Sequence, residues 1–315
     1  MNRNPLSVIF MGSDSFSLPA LELLAREENL QAVITQPDRP KGRGLRLSPG
    51  PVKQRALELG LKVYQPEKLK DPQAVETIRA LNPQLIVTAA FGQLVPRAVL
   101  EIPPLGCLNL HPSLLPKYRG AIPVEAALMA GETVTGSSIF YMDKGWDSGD
   151  ILLREETPIL PEETGGELRS RLAVSGAELL KTTLELIRSG NPPRTPQDHE
   201  QATYEHSLKK ADLLIDWSRE AETLRNFIRA LNPHWGAGTI FRGKNLKIYR
   251  ALSCENHTPA PPGTVVETLK DRGPLVKCGG DTALLLLEVK PEGKNLIPAR
   301  DFLNGYRVSA GEKLG

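Results

Sequence analysis

The first half of the chain alternates apolar runs with stretches of helical periodicity, and this order limits the fold more than any other feature. Residues 6–12, 30–35 and 84–90 have the near-continuous hydrophobicity of buried strands. Segments 18–26 and 72–81, which follow such runs, have apolar residues at helical spacing. Strand, helix and strand in this order predict a right-handed parallel crossover. We therefore expect an α/β domain with a Rossmann-like, parallel-rich sheet.

The second half has a different character, which begins at a proline-rich segment. Residues 191–198 include three prolines within six positions, a composition typical of an extended and fairly stiff linker. A helical pattern at 221–230 follows, and then about five short strand-like runs separated by turn residues. The expected boundaries are 1–190 for the α/β domain, 191–207 for the linker and 208–315 for a small β domain.

The composition is that of an ordinary globular protein. The 315 residues are 40% hydrophobic and 24% charged, with a formal net charge of +2. The three cysteines, Cys107, Cys254 and Cys278, are odd in number and widely spaced. This argues against a disulfide framework or a zinc site and is typical of a reducing compartment. The N-terminal residues show no long apolar segment, so we expect a cytoplasmic protein.

Positive charge is concentrated in two places. Residues 208–315 carry 17 Lys and Arg against 12 Asp and Glu. Between positions 37 and 55 the chain has six basic residues against one acidic residue, Asp38. The basic residues are Arg39, Lys41, Arg43, Arg46, Lys53 and Arg55. Such a loop is either a solvated surface segment or an arm that contacts nucleic-acid phosphates, and the charge asymmetry favours the second interpretation.

The run of residues 106–113 combines an apolar strand pattern with two polar side chains. Alternation along a strand places Asn109 and His111 on one face, with Leu108 and Leu110 on the other. Pro112 cannot donate to a ladder, so the strand is expected to end there. Polar side chains at the end of a buried strand are typical of an α/β active site. A histidine that only satisfies structural hydrogen bonds is the alternative.

A second polar segment follows about 30 residues later, at positions 142–150. It contains Asp143, Asp147 and Asp150 together with two glycines, which predicts a loop. The cluster is either a plain turn or the source of a carboxylate for the site. If Asp147 meets Asn109 and His111, then amide, imidazole and carboxylate form the set that acyl transfer to an amine requires.

Two long motifs resemble those of the tetrahydrofolate-dependent formyltransferases. The first is Asn-Leu-His-Pro-Ser-Leu-Leu-Pro-Lys-Tyr-Arg-Gly, from position 109 to 120, and the second is Asp-Lys-Gly-Trp-Asp-Ser-Gly-Asp, from 143 to 150. Trp217-Ser218 and residues 229–233 resemble the family's tail motifs. The resemblance runs from about Leu6 to the last few residues. One departure is Ser13-Asp14, where the family usually has a Gly-Thr-Pro turn.

This resemblance implies a reaction and its residues. It implies transfer of the formyl group of 10-formyltetrahydrofolate to an amine without a metal, with Asn109, His111 and Asp147 as the catalytic residues. Asn109 and His111 would stabilise the oxyanion, and Asp147 would receive the amine proton. The implied folate-binding residues are Ser113, Leu114, Leu115, Pro116, Phe91 and Gly92.

Members of this family that act on initiator methionyl-tRNA have a basic loop directed at the acceptor stem and a C-terminal OB-like barrel. By resemblance, Arg39, Lys41, Arg43 and Arg46 would bind tRNA, and Arg43 matches the arginine on which recognition depends. The resemblance also implies a monomer that binds initiator methionyl-tRNA and the folate donor and does not associate with a membrane.

Three other functions remain open from the sequence. A folate-dependent formyltransferase acting on an amino sugar or on glycinamide ribonucleotide would share the catalytic residues, but it would not explain the basic loop and tail. A metal-dependent hydrolase could use His111, Asp143, Asp147 and Asp150 as ligands. A non-catalytic RNA-binding module would account for the charge and leave the Asn, His and Asp residues without a role.

Overall fold

The computed structural model describes residues 4–41, 46–190 and 192–315, with only the backbone described for Lys41 and Arg46. Arg43 of the basic loop and Asn191 of the predicted linker lie outside the described residues. The chain forms two compact units. The first comprises 1–120, 134–158 and 169–205, and the second comprises 121–133, 159–168 and 206–315.

The secondary structure consists of short strands and of helices that range from one turn to 24 residues. The strands are β1 Ser7–Gly12, β2 Asn29–Ile34, β3 Arg39–Lys41, β4 Arg46–Ser48, β5 Val63–Tyr64, β6 Leu85–Ala89, β7 Cys107–His111, β8 Arg119–Gly120, β9 Val134–Tyr141, β10 Ile151–Pro158, β11 Tyr204–Glu205, β12 Ala237–Phe241, β13 Lys244–Glu255, β14 Val265–Leu269, β15 Gly273–Lys277, β16 Thr282–Pro291 and β17 Ile297–Pro298. The helices are α1 Leu18–Glu27, α2 Pro51–Glu58, α3 Pro72–Ala80, α4 Arg97–Leu100, α5 Pro123–Met129, α6 Gly165–Arg188, α7 Ala221–Ala230 and α8 Ala299–Tyr306.

The first unit is built on a seven-stranded sheet in the order β10-β9-β7-β6-β1-β2-β5. Strands β1, β2, β5, β6 and β7 pair in parallel, whereas β9 runs antiparallel to β7 and β10 runs antiparallel to β9. All five residues of β6 are buried, as its continuous apolar character predicts. The prediction of a Rossmann-like, parallel-rich α/β domain is confirmed.

The second unit contains an antiparallel sheet in the order β12-β13-β16-β15-β14, with β17 paired to β16. The last residues of the chain bridge its two edges, because Leu314 pairs with Phe241 and Lys313 pairs with Thr264. Trp217 lies in the core beneath the sheet and donates from Nε1 to Thr239 Oγ1 at 3.0 Å. The expected C-terminal β domain is confirmed, and its assignment as an OB-type barrel stays a prediction.

The domain boundaries predicted at 190 and 207 also stay a prediction. Residues 121–133 and 159–168 group with the second unit by their contacts, although they precede the predicted linker in the chain. Helix α5 lies in the first of these segments and packs against α7. Among the described residues, no helix has the length and apolar character that crossing a membrane requires.

Candidate active site

The site lies where the parallel strands β6 and β7 end. Thr88 of β6 pairs with Asn109 of β7, so polar side chains from adjacent strands lie side by side near the carboxyl edge of the sheet. Ligands in open α/β sheets bind beyond this edge. On the other side of β7, His111 pairs with Ser138 of β9, the strand that leads into the loop at positions 142–150.

His111 is held by a backbone carbonyl. Its Nε2 lies 2.8 Å from the carbonyl oxygen of Tyr118, and the ring is 5% exposed. A carbonyl oxygen can only accept, so Nε2 must carry a hydrogen. The neutral ring therefore has its lone pair on Nδ1, which lies 3.7 Å from Oδ2 of Asp147. The structure thus brings together two of the three predicted catalytic residues, and Nδ1 is the ring nitrogen that faces Asp147.

Asp147 belongs to the loop between β9 and β10, and its backbone is in the left-handed region with φ of +49°. This conformation is uncommon for a residue with a Cβ, although Asp tolerates it better than most. Oδ2 of Asp147 accepts a hydrogen bond from the backbone N–H of Gly120 at 2.8 Å. Two residues on, a Cβ at Gly149 would lie 1.8 Å from the carbonyl oxygen of Tyr141, so this loop requires glycine at position 149.

Asn109 is half-buried, and its side chain is oriented from the neighbouring strand. The hydroxyl of Thr88 lies 2.7 Å from Oδ1 of Asn109 and 3.1 Å from the carbonyl oxygen of Leu108. When the hydroxyl donates to Oδ1, the Nδ2 group of Asn109 is the end of the amide left to donate elsewhere. Such a donor is what an oxyanion requires.

The residues predicted to bind folate divide into buried and accessible ones. Ser113 and Leu115 are fully buried and tied to the protein interior: Ser113 Oγ donates to the Lys117 carbonyl at 2.7 Å, and the Leu115 carbonyl accepts from Arg154 at 2.7 Å. Leu114 and Pro116 are half-buried. Leu114 and Pro116 are therefore the members of this segment whose side chains are accessible to a ligand.

Phe91 and Gly92 follow the end of β6. The Phe91 side chain is 5% exposed and lies in the core, and its carbonyl accepts from Ser13 Oγ at 2.9 Å and from Gln36 Nε2 at 3.2 Å. Gly92 is exposed and has φ of +79°, which favours glycine. These protein contacts leave Gly92, rather than the ring or carbonyl of Phe91, as the accessible part of the turn.

The basic loop is partly neutralised by its own neighbours. Lys53 lies 2.7 Å from Asp38, and the hydrogen bond from Lys53, followed by one from Gln65, lowers the pKa of the Asp38 carboxyl. Arg55 pairs with Glu22 at 2.7 Å and also with Glu58. These pairs account for two of the six bases. The other four are the residues predicted to bind tRNA: Arg39, Lys41, Arg43 and Arg46.

Within this segment, β3 pairs antiparallel with β4. The Arg39 side chain is exposed, whereas Arg43 and the side chains of Lys41 and Arg46 are not part of the description. Two basic residues of the C-terminal domain have partners within the protein. Arg242 pairs with Glu312 at 2.7 Å, and Lys247 donates to the Trp235 carbonyl at 2.7 Å.

Arg119 and Gln197 are part of the site, although no pattern in the sequence selects them as site residues. Arg119 is completely buried, and Gln197, 6% exposed, donates to the backbone of the loop that carries Asp147. Arg119 stands within the first motif, but Gln197 comes from the predicted linker, 50 positions after Asp147. Proximity in space, which no local pattern encodes, is what identifies it.

Across the described ranges, no group of three or more His, Cys, Asp or Glu side chains is arranged to hold a metal ion. Asp143 is occupied within its own loop, where it accepts from the Gly145 N–H at 2.8 Å and from the Ser148 hydroxyl at 2.8 Å. The contacts of Asp143 are those of a turn-forming residue.

Comparison with known proteins identifies a family for this chain. Residues 7–184 match the family model described as formyl transferase, and residues 207–307 match that of the formyl transferase C-terminal domain. The structure is similar to HypX from Aquifex aeolicus in complex with tetrahydrofolic acid, with a TM-score of 0.64 and 18% identity over 98% of this chain and 48% of that longer chain. It is also similar to methionyl-tRNA formyltransferase from Clostridium thermocellum, with a TM-score of 0.55 and 18% identity over 78% of this chain and 93% of the other.

Sequence similarity is more specific than these structural matches, which show the fold. The chain is 48% identical over 311 residues to methionyl-tRNA formyltransferase of Syntrophus aciditrophicus (strain SB), covering 98% of this chain and 99% of the relative. The two matched family models together span most of the chain. The chain therefore belongs to the formyl transferase family, among the methionyl-tRNA formyltransferases.

Proposed function

We propose that this chain transfers the formyl group of 10-formyltetrahydrofolate to the α-amino group of methionyl-tRNA, with Asn109, His111 and Asp147 as the catalytic residues. Family membership supports the reaction. The observation that carries the assignment of residues is the approach of Asp147 Oδ2 to within 3.7 Å of His111 Nδ1, beside the strand that bears Asn109.

The reaction requires one bond to form and one to break at the formyl carbon. The uncharged amine nitrogen bonds to that carbon, which places negative charge on the formyl oxygen. The bond to the folate nitrogen then breaks, that nitrogen takes a proton, and the amine gives one up. The site therefore needs donors for the oxyanion and an acceptor for the amine proton.

The three side chains match these needs. The Nδ2 group of Asn109 is free to donate to the oxyanion because Thr88 occupies Oδ1. His111 donates from Nδ1 only when the ring carries a second proton, because the hydrogen on Nε2 is committed to Tyr118. In the doubly protonated ring, the proton on Nδ1 lies on the side that faces the Asp147 carboxylate. We assign Asp147, acting directly or through a water molecule, as the group that receives the amine proton.

The catalytic assignment is tested by single substitutions. Asn109→Ala, His111→Ala and Asp147→Ala are each expected to lower kcat by roughly 100-fold or more, because each removes a group that acts on charge in the transition state. Formylated product would be quantified with saturating folate donor and charged tRNA. Lys144→Ala, an exposed position in the same loop as Asp147, serves as the control and should keep the wild-type rate. Folded variants with near-wild-type rates would overturn the assignment.

We also propose that Arg39, Lys41, Arg43 and Arg46 contact the phosphates of the tRNA. Replacing three of them, in the variant Arg39→Gln, Lys41→Gln, Arg43→Gln, should weaken tRNA binding and reduce the slope of log Kd against log salt by about 2 to 3. The KM for the folate donor should not change, because charge is removed only from the loop.

A control variant removes the same number of charges elsewhere. Lys62, Lys68 and Lys70 are exposed in the first unit, outside the basic loop, and their replacement by Gln should leave the salt slope nearly unchanged. Equal slopes for the two triple variants would mean that the loop contributes only general positive charge.

Three finer points belong to the same proposal. We infer selectivity for the initiator methionyl-tRNA, a monomeric state and a cytoplasmic location. Incubation with initiator and elongator methionyl-tRNA in parallel tests the first, and product from both at equal rates would contradict it. An amino sugar offered as the acceptor in the same assay tests the alternative substrate class, since its formylation at a comparable rate would favour that class.

A further inference from the structure

A short segment after α6 lies along the candidate site. It contacts Tyr118, whose carbonyl holds His111, and also the loop that carries Asp147. We call residues 195–205 the strap. It begins where Thr195 exchanges backbone hydrogen bonds of 2.9 Å with Ile151, and it ends in β11, which pairs in parallel with β8. All of these residues belong to the first compact unit.

Gln197 of the strap uses the full hydrogen-bonding capacity of its amide. Oε1 accepts two bonds from Arg119, from Nε at 3.1 Å and from Nη2 at 2.7 Å. Nε2 donates to the carbonyl oxygens of Asp147 at 2.8 Å and Gly149 at 2.7 Å. An amide has two acceptor positions and two N–H groups, so none is left for water. Gln197 therefore joins Arg119 to the loop that carries Asp147.

Arg119 provides a firm base for this connection. Its side chain is 0% exposed, and besides Gln197 it donates to the Tyr204 hydroxyl at 2.7 Å and contacts His199 Nδ1 at 3.2 Å. The guanidinium also lies over the Tyr204 ring, 5.5 Å from its centre. Leaving a buried charge unsatisfied costs several kcal/mol, so these partners hold the guanidinium in one position.

The strap also supports the residue that holds His111. Thr203 accepts from the Tyr118 N–H at 2.7 Å through its hydroxyl oxygen and from the Arg119 N–H at 2.9 Å through its carbonyl. Tyr118, whose carbonyl holds His111 Nε2, is itself in the left-handed region at φ +58°. A bulky residue keeps such a conformation only when its surroundings hold it there.

We infer that Gln197 is a positioning residue for Asp147. Its two donated bonds fix the backbone of the loop on one side, while the Gly120 N–H fixes the carboxylate on the other. Both restraints are required because Asp147 is in a conformation of raised energy at φ +49°. The inference rests on the proposed function wherever kcat is the measurement, because Asp147 is a catalytic residue only in that proposal.

The competing explanation is that Gln197 serves only to satisfy the buried Arg119. Gln197→Glu separates the two roles. A glutamate keeps an acceptor for Arg119 and adds a complementary charge, but it loses both N–H donors and sets a carboxylate oxygen against the carbonyls of Asp147 and Gly149. The change therefore keeps the contact that satisfies Arg119 and removes the two bonds that position the loop.

With both substrates saturating, Gln197→Glu should lower kcat by about 10- to 100-fold, because displacement of a catalytic group by about 1 Å has effects of this size. The KM for the folate donor and for tRNA should stay within about threefold. Gln201→Glu is the matched control, because it makes the same change of charge in the exposed part of the strap, where the Gln201 amide donates to Asp198 at 2.7 Å. It should retain the wild-type kcat.

Backbone hydrogen exchange gives a second measurement that does not depend on activity. In Gln197→Glu the amides of residues 143–150 should exchange faster than in Gln201→Glu, while those of β7 and β9 should stay protected. A kcat within twofold of the control together with unchanged exchange would overturn the inference, as would an equal loss of protection throughout the sheet. If the wild-type chain formed no product, the proposed function would fail while the exchange result still decided the role of Gln197.

Discussion

Each of the three side chains proposed as catalytic is held in place by a neighbouring residue. Tyr118 determines which nitrogen of His111 is available, Gly120 orients the Asp147 carboxylate, and Thr88 orients the amide of Asn109. In two of these three contacts the partner atom belongs to the backbone, so the residue type at that position does not predict the contact. Thr88 is the exception, because its hydroxyl makes the contact.

Thr88→Val tests the orienting bond to Asn109. Valine has nearly the shape of threonine and suits this fully buried strand, so the fold should be preserved. Loss of one hydrogen bond, worth about 1 kcal/mol, should lower kcat roughly fivefold, because the amide is then free to rotate. Steady-state kinetics would measure this change in kcat. Thr88→Ser, which keeps the hydroxyl, should have a higher kcat than Thr88→Val, and equal rates for the two would contradict this role.

The pairing of β8 with β11 depends on a glycine. Gly120 has φ of +106°, and a Cβ at this position would lie 2.3 Å from the carbonyl oxygen of Glu205 in β11. Only glycine therefore allows the two strands to approach, and the same glycine donates its N–H to Asp147. A two-residue strand pair that joins residues 85 positions apart thus has a direct connection to the site.

Gly120→Ala should lower the free energy of unfolding by about 3 kcal/mol, since the backbone must move to relieve the contact. Gly60→Ala separates the effect of conformation from that of crowding, because Gly60 has φ of +69° with nothing within 4 Å of the added carbon. It should lose only about 1 kcal/mol. Denaturant unfolding of both variants gives the comparison, and similar losses would show that the contact with Glu205 is easily relieved.

The stability of the folded chain should depend on pH in alkali because of two thiols from different units. Burial raises the pKa of Cys107 to about 12 and that of Cys278 also to about 12. The unfolded chain releases both protons near its ordinary thiol pKa of about 8.5, whereas the folded chain keeps them. The free energy of unfolding therefore falls as the pH rises from the ordinary thiol pKa of about 8.5 toward the folded value of about 12. Below about pH 8 the two thiols do not change the free energy of unfolding.

Cys107→Ala tests this dependence. Between pH 9 and 12 the free energy of unfolding of the wild type should fall more steeply than that of the variant, by up to about 1.4 kcal/mol per pH unit. Denaturant unfolding at several pH values measures both curves. Cys254→Ala is the control, because Cys254 is exposed and its removal should change the slope less. Parallel curves for the wild type and Cys107→Ala would contradict the prediction.

Elements with strong periodicity were predictable, and elements made by distant pairing were not. The strands β1, β6 and β7 and the helix α7 lie within a residue or two of their predicted positions, because apolar period and turn residues are local properties. The pair β8 and β11 has two residues in each strand and exists only because residues 204–205 return to residue 119. Helix α8 was also missed, since its sequence Ala-Arg-Asp-Phe-Leu-Asn-Gly-Tyr contains Asn and Gly, which are poor helix formers.

The amino-acid order alone was enough to predict an α/β domain followed by a β domain and to place Asn109 and His111 on one strand face, since both follow from periods of 3.6 and 2 residues. The approach of Asp147 was expected from the motifs, but its geometry was not. Only the tertiary structure decided that His111 presents Nδ1 to Asp147 and that Gln197 connects the loop to a buried arginine. Hydrogen bonds between residues 50 or more positions apart depend on how the chain returns on itself, and no local pattern records that path.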